Sequence, residues 1–322
     1  MSDSPPRQVQ APALRIDGRL TARGKLRYVR QDWQLYALIL PVLVFFAIFH
    51  YWPMYGVQIA FKEYLGPLGI LGSPWVGFKH FVRFFSSFHF VRVIRNTLTI
   101  SLYELLVGFP IPIILALSMN ELRLLGFKKV VQNITYAPYF LSPVVMVGMI
   151  ILFLSPSRGV VNAVIGLAGF EPVFFMTEPG WFKHVYVWSG VWQHAGWGSV
   201  IYMAALAGID HEVVEASIID GTSRLQRIRH VMIPGIMSTA IVLLILSAAG
   251  ILAVGFEKIY LMQNQLNLPT SDVISTYVYR VGLLGAQFSF GAAVGLFNSV
   301  VNFIVLIIVN AASRRLTGAS LW

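Results

Sequence analysis

The sequence predicts an all-α membrane protein with six transmembrane helices. Three observations predict it: a charge-poor composition, six apolar runs of membrane length, and basic residues gathered between those runs. Of 322 residues, 57% are hydrophobic and 12% charged, about half the charge that covers a soluble domain. Mean hydropathy is +0.70. A helix needs about 20 apolar residues to cross the hydrocarbon core, where unpaired backbone polar groups are not tolerated. Residues 34–56, 96–120, 131–154, 184–207, 236–257 and 289–312 meet that length. The net charge of +10 therefore reads as membrane topology and not as nucleic-acid binding. The absence of cysteine excludes disulfides, thiolate metal sites and cysteine nucleophiles.

The first run, Trp33 to Phe61, is too long for a signal-peptide core and continues into His50-Tyr51-Trp52-Pro53 without a small-residue cleavage site. It reads as a retained span. Before it lies a basic arm, residues 1–33, with Arg7, Arg15, Arg19, Arg23, Lys25, Arg27 and Arg30, which the positive-inside rule places in the cytoplasm. An even number of spans puts the tail, residues 313–322 with Arg314 and Arg315, on the same side. Arg123, Lys128 and Lys129 after span two, and Arg224, Arg227 and Arg229 after span four, agree. Lys62, Lys79, Arg83, Arg92 and Arg95 in the first external connection run against that bias. There Phe78, Phe81, Val82 and Phe85 have the i, i+3, i+4, i+7 spacing of an interfacial helix, with Lys79, His80 and Arg83 off its apolar face. The connections 155–183 and 258–288 then face outward.

Span two contains Glu104, and a charge at that depth faces a cavity or a partner. Trp188, Trp192 and Trp197, with His194, mark span four; an aromatic belt and a ring-stacking surface both fit them. Gly291 and Gly295 open span six with a small-xxx-small packing pattern. The nearest approach to a phosphate loop, Gly18 to Lys25, has one residue too many and is followed by Leu26, not a hydroxyl. If ATP drives this protein, another chain must bind it. His211-Glu212-Val213-Val214-Glu215 lacks the second histidine of a zinc helix. No metal site is expected.

The most informative stretch joins spans four and five. Asp210 is placed to cap a helix starting at His211, with Glu212 and Glu215 near its positive end. Gly221 is placed to end it, and Ser223 with Gln226 forms a capping box for a second helix that meets Pro234. The first helix also carries Val213, Val214, Ala216, Ile218 and Ile219. A helix in water with that much apolar surface needs a partner.

This segment resembles the EAA loop of permease subunits of binding-protein-dependent ABC importers, whose pattern runs E-A-A-x-x-D-G-A, an apolar position, then I-x-L-P. Glu215-Ala216-Ser217, Asp220-Gly221-Thr222, Ile228, Val231, Ile233 and Pro234 occupy it in order. Ser217 and Thr222 replace two alanines, and Val231 and Ile233 replace the usual isoleucine and leucine; these are mild departures. Asn96-Thr97, Gly108 to Pro112, Asn120-Glu121, Tyr136 to Ser142 and Ser157 to Asn162 are similar to the branch importing oligosaccharides and polysaccharide fragments, and within it to alginate (polyuronate) importers.

The resemblance implies a type I ABC importer transmembrane domain over 34–312, with its coupling loop at 210–235. It implies coupling residues Glu215, Ala216, Ser217, Asp220, Gly221 and Thr222, and leaves Glu104, Trp192, His194 and Trp197 as candidates for a substrate path. The implied partners are a second, similar permease, two ATPase subunits that bind ATP and magnesium, an extracytoplasmic solute-binding protein, a saccharide and lipid. No catalytic residue, metal or cofactor is expected in this chain, which would work by alternating access in the inner membrane with both termini cytoplasmic. The competing class is an ion-gradient-driven secondary transporter, which places ionisable residues or broken helices at mid-membrane in paired halves; only Glu104 fits that description. An intramembrane enzyme would need a nucleophile or metal constellation, and none is visible.

Overall fold

The computed structural model describes residues 33–122, 124–318 and 320–321. The seven arginines and lysines of the arm, the Gly18 to Lys25 stretch and Arg123 lie outside the described residues. By contacts the chain divides into two units, Met1–Val57 and Gln58–Trp322.

In the first unit, α1 (Trp33–Phe46) runs into a π turn at Ala47–Tyr51 and a short helical piece at Trp52–Met54. The helical run Trp33–Phe61 is long and apolar enough to cross a membrane. Pro53 removes one backbone donor and its ring crowds the carbonyl four residues earlier. The wider π turn absorbs this, because the Trp52 N–H bonds Ala47 O, one residue further back than in an α-helix.

The second unit is helical throughout, apart from one isolated bridge between Lys62 and Trp75 among the described residues. After a single helical turn at Gly69–Gly72, its α-helices are α2 (Lys79–Phe85), α3 (Phe88–Gly108), α4 (Pro110–Asn120), α5 (Leu125–Tyr136), α6 (Pro143–Phe153), α7 (Val160–Leu167), α8 (Pro179–Ala207), α9 (His211–Ile219), α10 (Arg224–Arg227), α11 (Ile233–Ala249), α12 (Phe256–Met262), α13 (Leu268–Ser271), α14 (Ile274–Val278) and α15 (Phe288–Thr317).

Four of the predicted spans appear as long apolar helices: Trp33–Phe61, Phe88–Asn120, Arg224–Ala249 and Phe288–Arg315. The other two differ from expectation. Residues 131–154 are not one straight helix, because Leu125–Phe140 and Pro143–Phe153 meet at 103°. Pro138 and Pro143 lack the donors that would carry the helix across, and the Ser142 side chain caps the new helix by accepting from Val145 N. The break exposes carbonyls that lipid cannot satisfy, and buried Gln193 of α8 donates to Leu141 O at 2.9 Å. Residues 184–207 lie in α8, whose 29 residues are long enough to cross; its histidines, Gln193 and tryptophans make it less apolar than the four.

Span five also shifts. Its helix begins at Arg224, not 236, and ends at Ala249, not 257. Pro234 does not stop it, because a π turn at Ile228–Met232 lets the Ile233 N–H reach Ile228 O, the device used before Pro53.

Helix α8 is the hub, packing on α3, α4, α5, α11 and α13. Gly196 makes one of those contacts possible: a Cβ there would meet the Thr135 carbonyl of α5 far inside contact distance. Buried residues form three clusters along the bundle. One surrounds Ala116, Tyr202 and Ile236, one Ile100, Val187 and Ile259, and one Phe84, Tyr277 and Phe290.

The predicted interfacial helix is α2, but the face it buries is the other one. His80 and Phe84 are buried, with His80 Nε2 donating to Lys62 O at 3.1 Å, while Phe78, Val82 and Phe85 stay exposed. The aromatic stripe is the outer face. Beside α2, the small-xxx-small pattern of α15 is half used: Gly291 packs against Gly282, whereas a Cβ at Gly295 would meet nothing within 4 Å.

Candidate functional site

The segment between spans four and five forms as its local signals dictate. The Asp210 carboxylate accepts from Glu212 N at 2.9 Å and opens α9. Gly221 follows its end at φ +76, where most residues other than glycine and asparagine are strained. Ser223 and Gln226 form a reciprocal capping box at the start of α10. The expected coupling residues lie on one short path through this unit. Glu215 is exposed and 3.6 Å from His211 Nδ1; Ala216 and Asp220 are exposed, and Ser217 is buried. The Thr222 hydroxyl donates to Ser217 O at 2.6 Å, a bond the alanine of the family pattern cannot make. Val213, Ile218, Ile219 and Leu225 project outward, Ile219 with 86% of its surface exposed.

A contact that sequence reasoning missed ties this unit to span two. Arg227 donates to the Glu121 carboxylate at 2.8 Å, with both side chains largely buried. Asn120-Glu121 stood out only through resemblance, since the pairing joins positions 106 residues apart.

The substrate-path candidates divide. Glu104 and His194 line one cavity of about 420 Å3 between α3, α4, α8, α11 and the chain after Ala249. Trp192 and Trp197 do not line it: Trp192 is exposed, and Trp197 stacks on Tyr139 at 4.9 Å and 11°. The early end of α11 explains why Gly250, Ile251, Ala253 and Val254 border the cavity, since irregular backbone at this depth survives only where protein or a cavity receives it. Lys258, beyond the expected end of span five, also reaches this region. Its ammonium donates to Tyr186 O at 3.0 Å and lies 4.8 Å over the Tyr186 ring. A Cβ on Gly190 would sit 3.3 Å from Lys258 Nζ and 3.6 Å from Glu104 Oε1, so both charges flank that glycine. Among the described residues no three His, Asp or Glu side chains converge as a metal site would need.

At the end of the bundle away from α9, buried polar contacts fold the connections onto the helices. Asn96 donates to Pro269 O and Asp272 O at 2.9 and 3.0 Å, and Thr97 accepts from Ile274 N at 3.0 Å. Asp272, fully buried, holds Arg280 at 2.6 Å and Arg92 at 3.5 Å. Asn162 binds Val173 through both its backbone groups, and Gly159 beside it leaves no room for a Cβ.

Comparison with known proteins agrees with this architecture. Residues 108–318 match the family of binding-protein-dependent transport system inner membrane components. The chain is 40% identical over 310 residues to protein LplB of Bacillus subtilis (strain 168), covering 96% of both chains. It is 38% identical to the polygalacturonan/rhamnogalacturonan transport system permease protein YteP of the same organism, covering 96% of this chain and 97% of that one. A crystal structure of a bacterial ABC transporter involved in the import of the acidic polysaccharide alginate contains a chain that superposes with TM-score 0.85 at 44% identity, covering 91% of this chain and 99% of that one. A second structure of such a transporter, in complex with an alginate pentasaccharide-bound periplasmic protein, superposes with TM-score 0.85 at 43% identity, covering 92% and 99%. The chain therefore belongs to the binding-protein-dependent transport system inner membrane components and is a permease subunit of an ABC importer.

Proposed function

We propose that this chain is one of two similar permeases of an ATP-driven importer of acidic oligosaccharides, and that α9 and α10 are its docking element for an ATPase subunit. One observation carries the docking reading: α9, an apolar, capped helix exposed in this chain, leads directly into α10, whose Arg227 is tied to Glu121 at the end of a span. A connection between spans can be as short as two to eight residues, so the extra length calls for a partner. Two ATPases would bind ATP and magnesium on the cytoplasmic face, and an external solute-binding protein would deliver the saccharide. Closure of the ATPases would move α9 and, through Arg227 and the continuous helix Arg224–Ala249, tilt spans two and five.

This reading places residues 1–33, the 210–235 loop and the 313–322 tail in the cytoplasm around a 34–312 membrane domain, with lipid as the surrounding solvent and no nucleic-acid partner. The acidic substrate is supported by the likeness to alginate-importer chains and to YteP. Purification of the complex from membranes tests the docking claim. An ATPase should co-purify with the wild-type chain and be lost or reduced with Ile218→Asp/Ile219→Asp; equal recovery would refute it.

A further inference from the structure

Helices α3 and α8 carry a polar aromatic ladder on their exposed sides that neither the coupling element nor the Glu104 cavity uses. On α8, positions 181, 184, 188 and 192 are exposed and share one helical face. On α3, exposed Arg95 and Thr99 run alongside. Cross-bonds join the two ridges. Lys183 donates to Thr99 Oγ1 at 2.7 Å, Trp188 Nε1 donates to Tyr103 Oη at 2.9 Å, and Tyr103 Oη lies 3.0 Å from His184 Nδ1.

At the end away from the coupling element, Arg92, Arg95 and Lys183 line one pocket of about 460 Å3. Arg92 shares Asp272, which sits closer to Arg280. Arg95 and Lys183 have no carboxylate within 4.0 Å among the described residues. Hydrocarbon is a costly surrounding for two unpaired cations and an imidazole, so this surface faces water or a polar cargo. The cavity lined by Glu104 has that carboxylate beside the Lys258 ammonium, so its two charges offset and leave no surplus cation for an anion.

We propose that this ladder is the stretch of substrate path supplied by this chain: Arg95 and Lys183 take carboxylates of an acidic saccharide, and Tyr103, Trp188 and Trp192 offer ring faces to its sugars. The inference rests on the acidic-saccharide reading above. It moves the candidate path from the cavity to the outer face of α3 and α8.

The test uses the whole importer in proteoliposomes, with its binding protein loaded with a uronate pentasaccharide. The wild type is first compared on uronate and neutral oligosaccharides of equal length. No preference for uronate would overturn the acidic-substrate reading and, with it, the ligand assigned here. Given that preference, Arg95→Gln/Lys183→Gln should lower uronate uptake about tenfold or more while the affinity of the loaded binding protein for the complex stays unchanged. Trp188→Ala should also slow uptake, and Trp188→Phe should restore most of it. Unchanged uptake in the double variant would overturn the ladder alone. So would a parallel loss of binding-protein affinity, which would make these cations a protein-docking patch, or loss only in vesicles containing anionic lipid, which would make them a headgroup site.

Discussion

Arg227 donates to Glu121 at 2.8 Å, with only 13% and 15% of the two side chains exposed. One residue follows the last turn of α4 and the other closes α10, so a single ion pair links span two to the expected docking element. Removing one member leaves a mostly buried charge unpaired. Arg227→Ala or Glu121→Ala should destabilise the assembled importer by about 2–4 kcal/mol and lower uptake. The exchanged pair Glu121→Arg/Arg227→Glu should recover part of both. A double-mutant cycle on thermal unfolding checks this, and additive effects would deny the coupling.

Gly221 adopts φ +76 in open space, with nothing within 4 Å of a built Cβ. The cost of substitution is therefore conformational and not steric. Gly221→Val should cost about 1–2 kcal/mol or more and Gly221→Asn little, since asparagine tolerates the left-handed region. The valine variant should uncouple ATP hydrolysis from uptake while all spans still insert. Equal uptake by the valine and asparagine variants would remove the hinge role.

Thr222 occupies an alanine position of the family pattern, yet its hydroxyl closes α9 onto Ser217 O. The backbone N–H of Thr222 also reaches that carbonyl, at 3.2 Å. Thr222→Ala should therefore cost only about 0.5–1.5 kcal/mol, read as a small fall in melting temperature with coupling intact. Glu215→Ala should weaken ATPase association more, because that carboxylate is exposed.

Gln193 and Gly196 face the broken span from α8. Gln193→Leu strands the Leu141 carbonyl and should cost about 1–3 kcal/mol. Gly196→Ala should cost more, since its methyl would meet the Thr135 backbone and backbone cannot step aside. Unfolding of the detergent-solubilised complex measures both. A silent Gly196→Ala would contradict the packing described for α5 and α8.

What the sequence disclosed was local. Asp210, Gly221, Ser223 and Gln226 act within a turn of themselves, so their roles were readable from spacing, and the apolar runs gave four spans directly. The remaining features depend on distant partners. Residues 131–154 were read as one span although Pro138 and Pro143 lie within them, and only Gln193, 52 residues from Leu141, shows how the break is satisfied. Trp192 and Trp197 shared one short stretch with His194, yet helical phase sends only His194 to the cavity. Lys258 and Asp272 gave no signal, because their partners lie on other helices.

Orientation is checked by cysteine labelling, which this cysteine-free chain makes clean. A membrane-impermeant maleimide should label Ser223→Cys in inside-out vesicles and not in intact cells. Labelling from outside intact cells would invert the topology.

The central claim is that ATP, acting through α9 and α10, drives import through this permease. The most direct measurement is saccharide uptake into sealed proteoliposomes holding the whole complex, with ATP supplied on the ATPase side and ionophores present to collapse ion gradients. The account predicts uptake that persists with ionophores, stops without ATP and is lost in Gly221→Val. Uptake that proceeds without ATP and collapses with the ionophores would contradict it and identify a gradient-driven transporter.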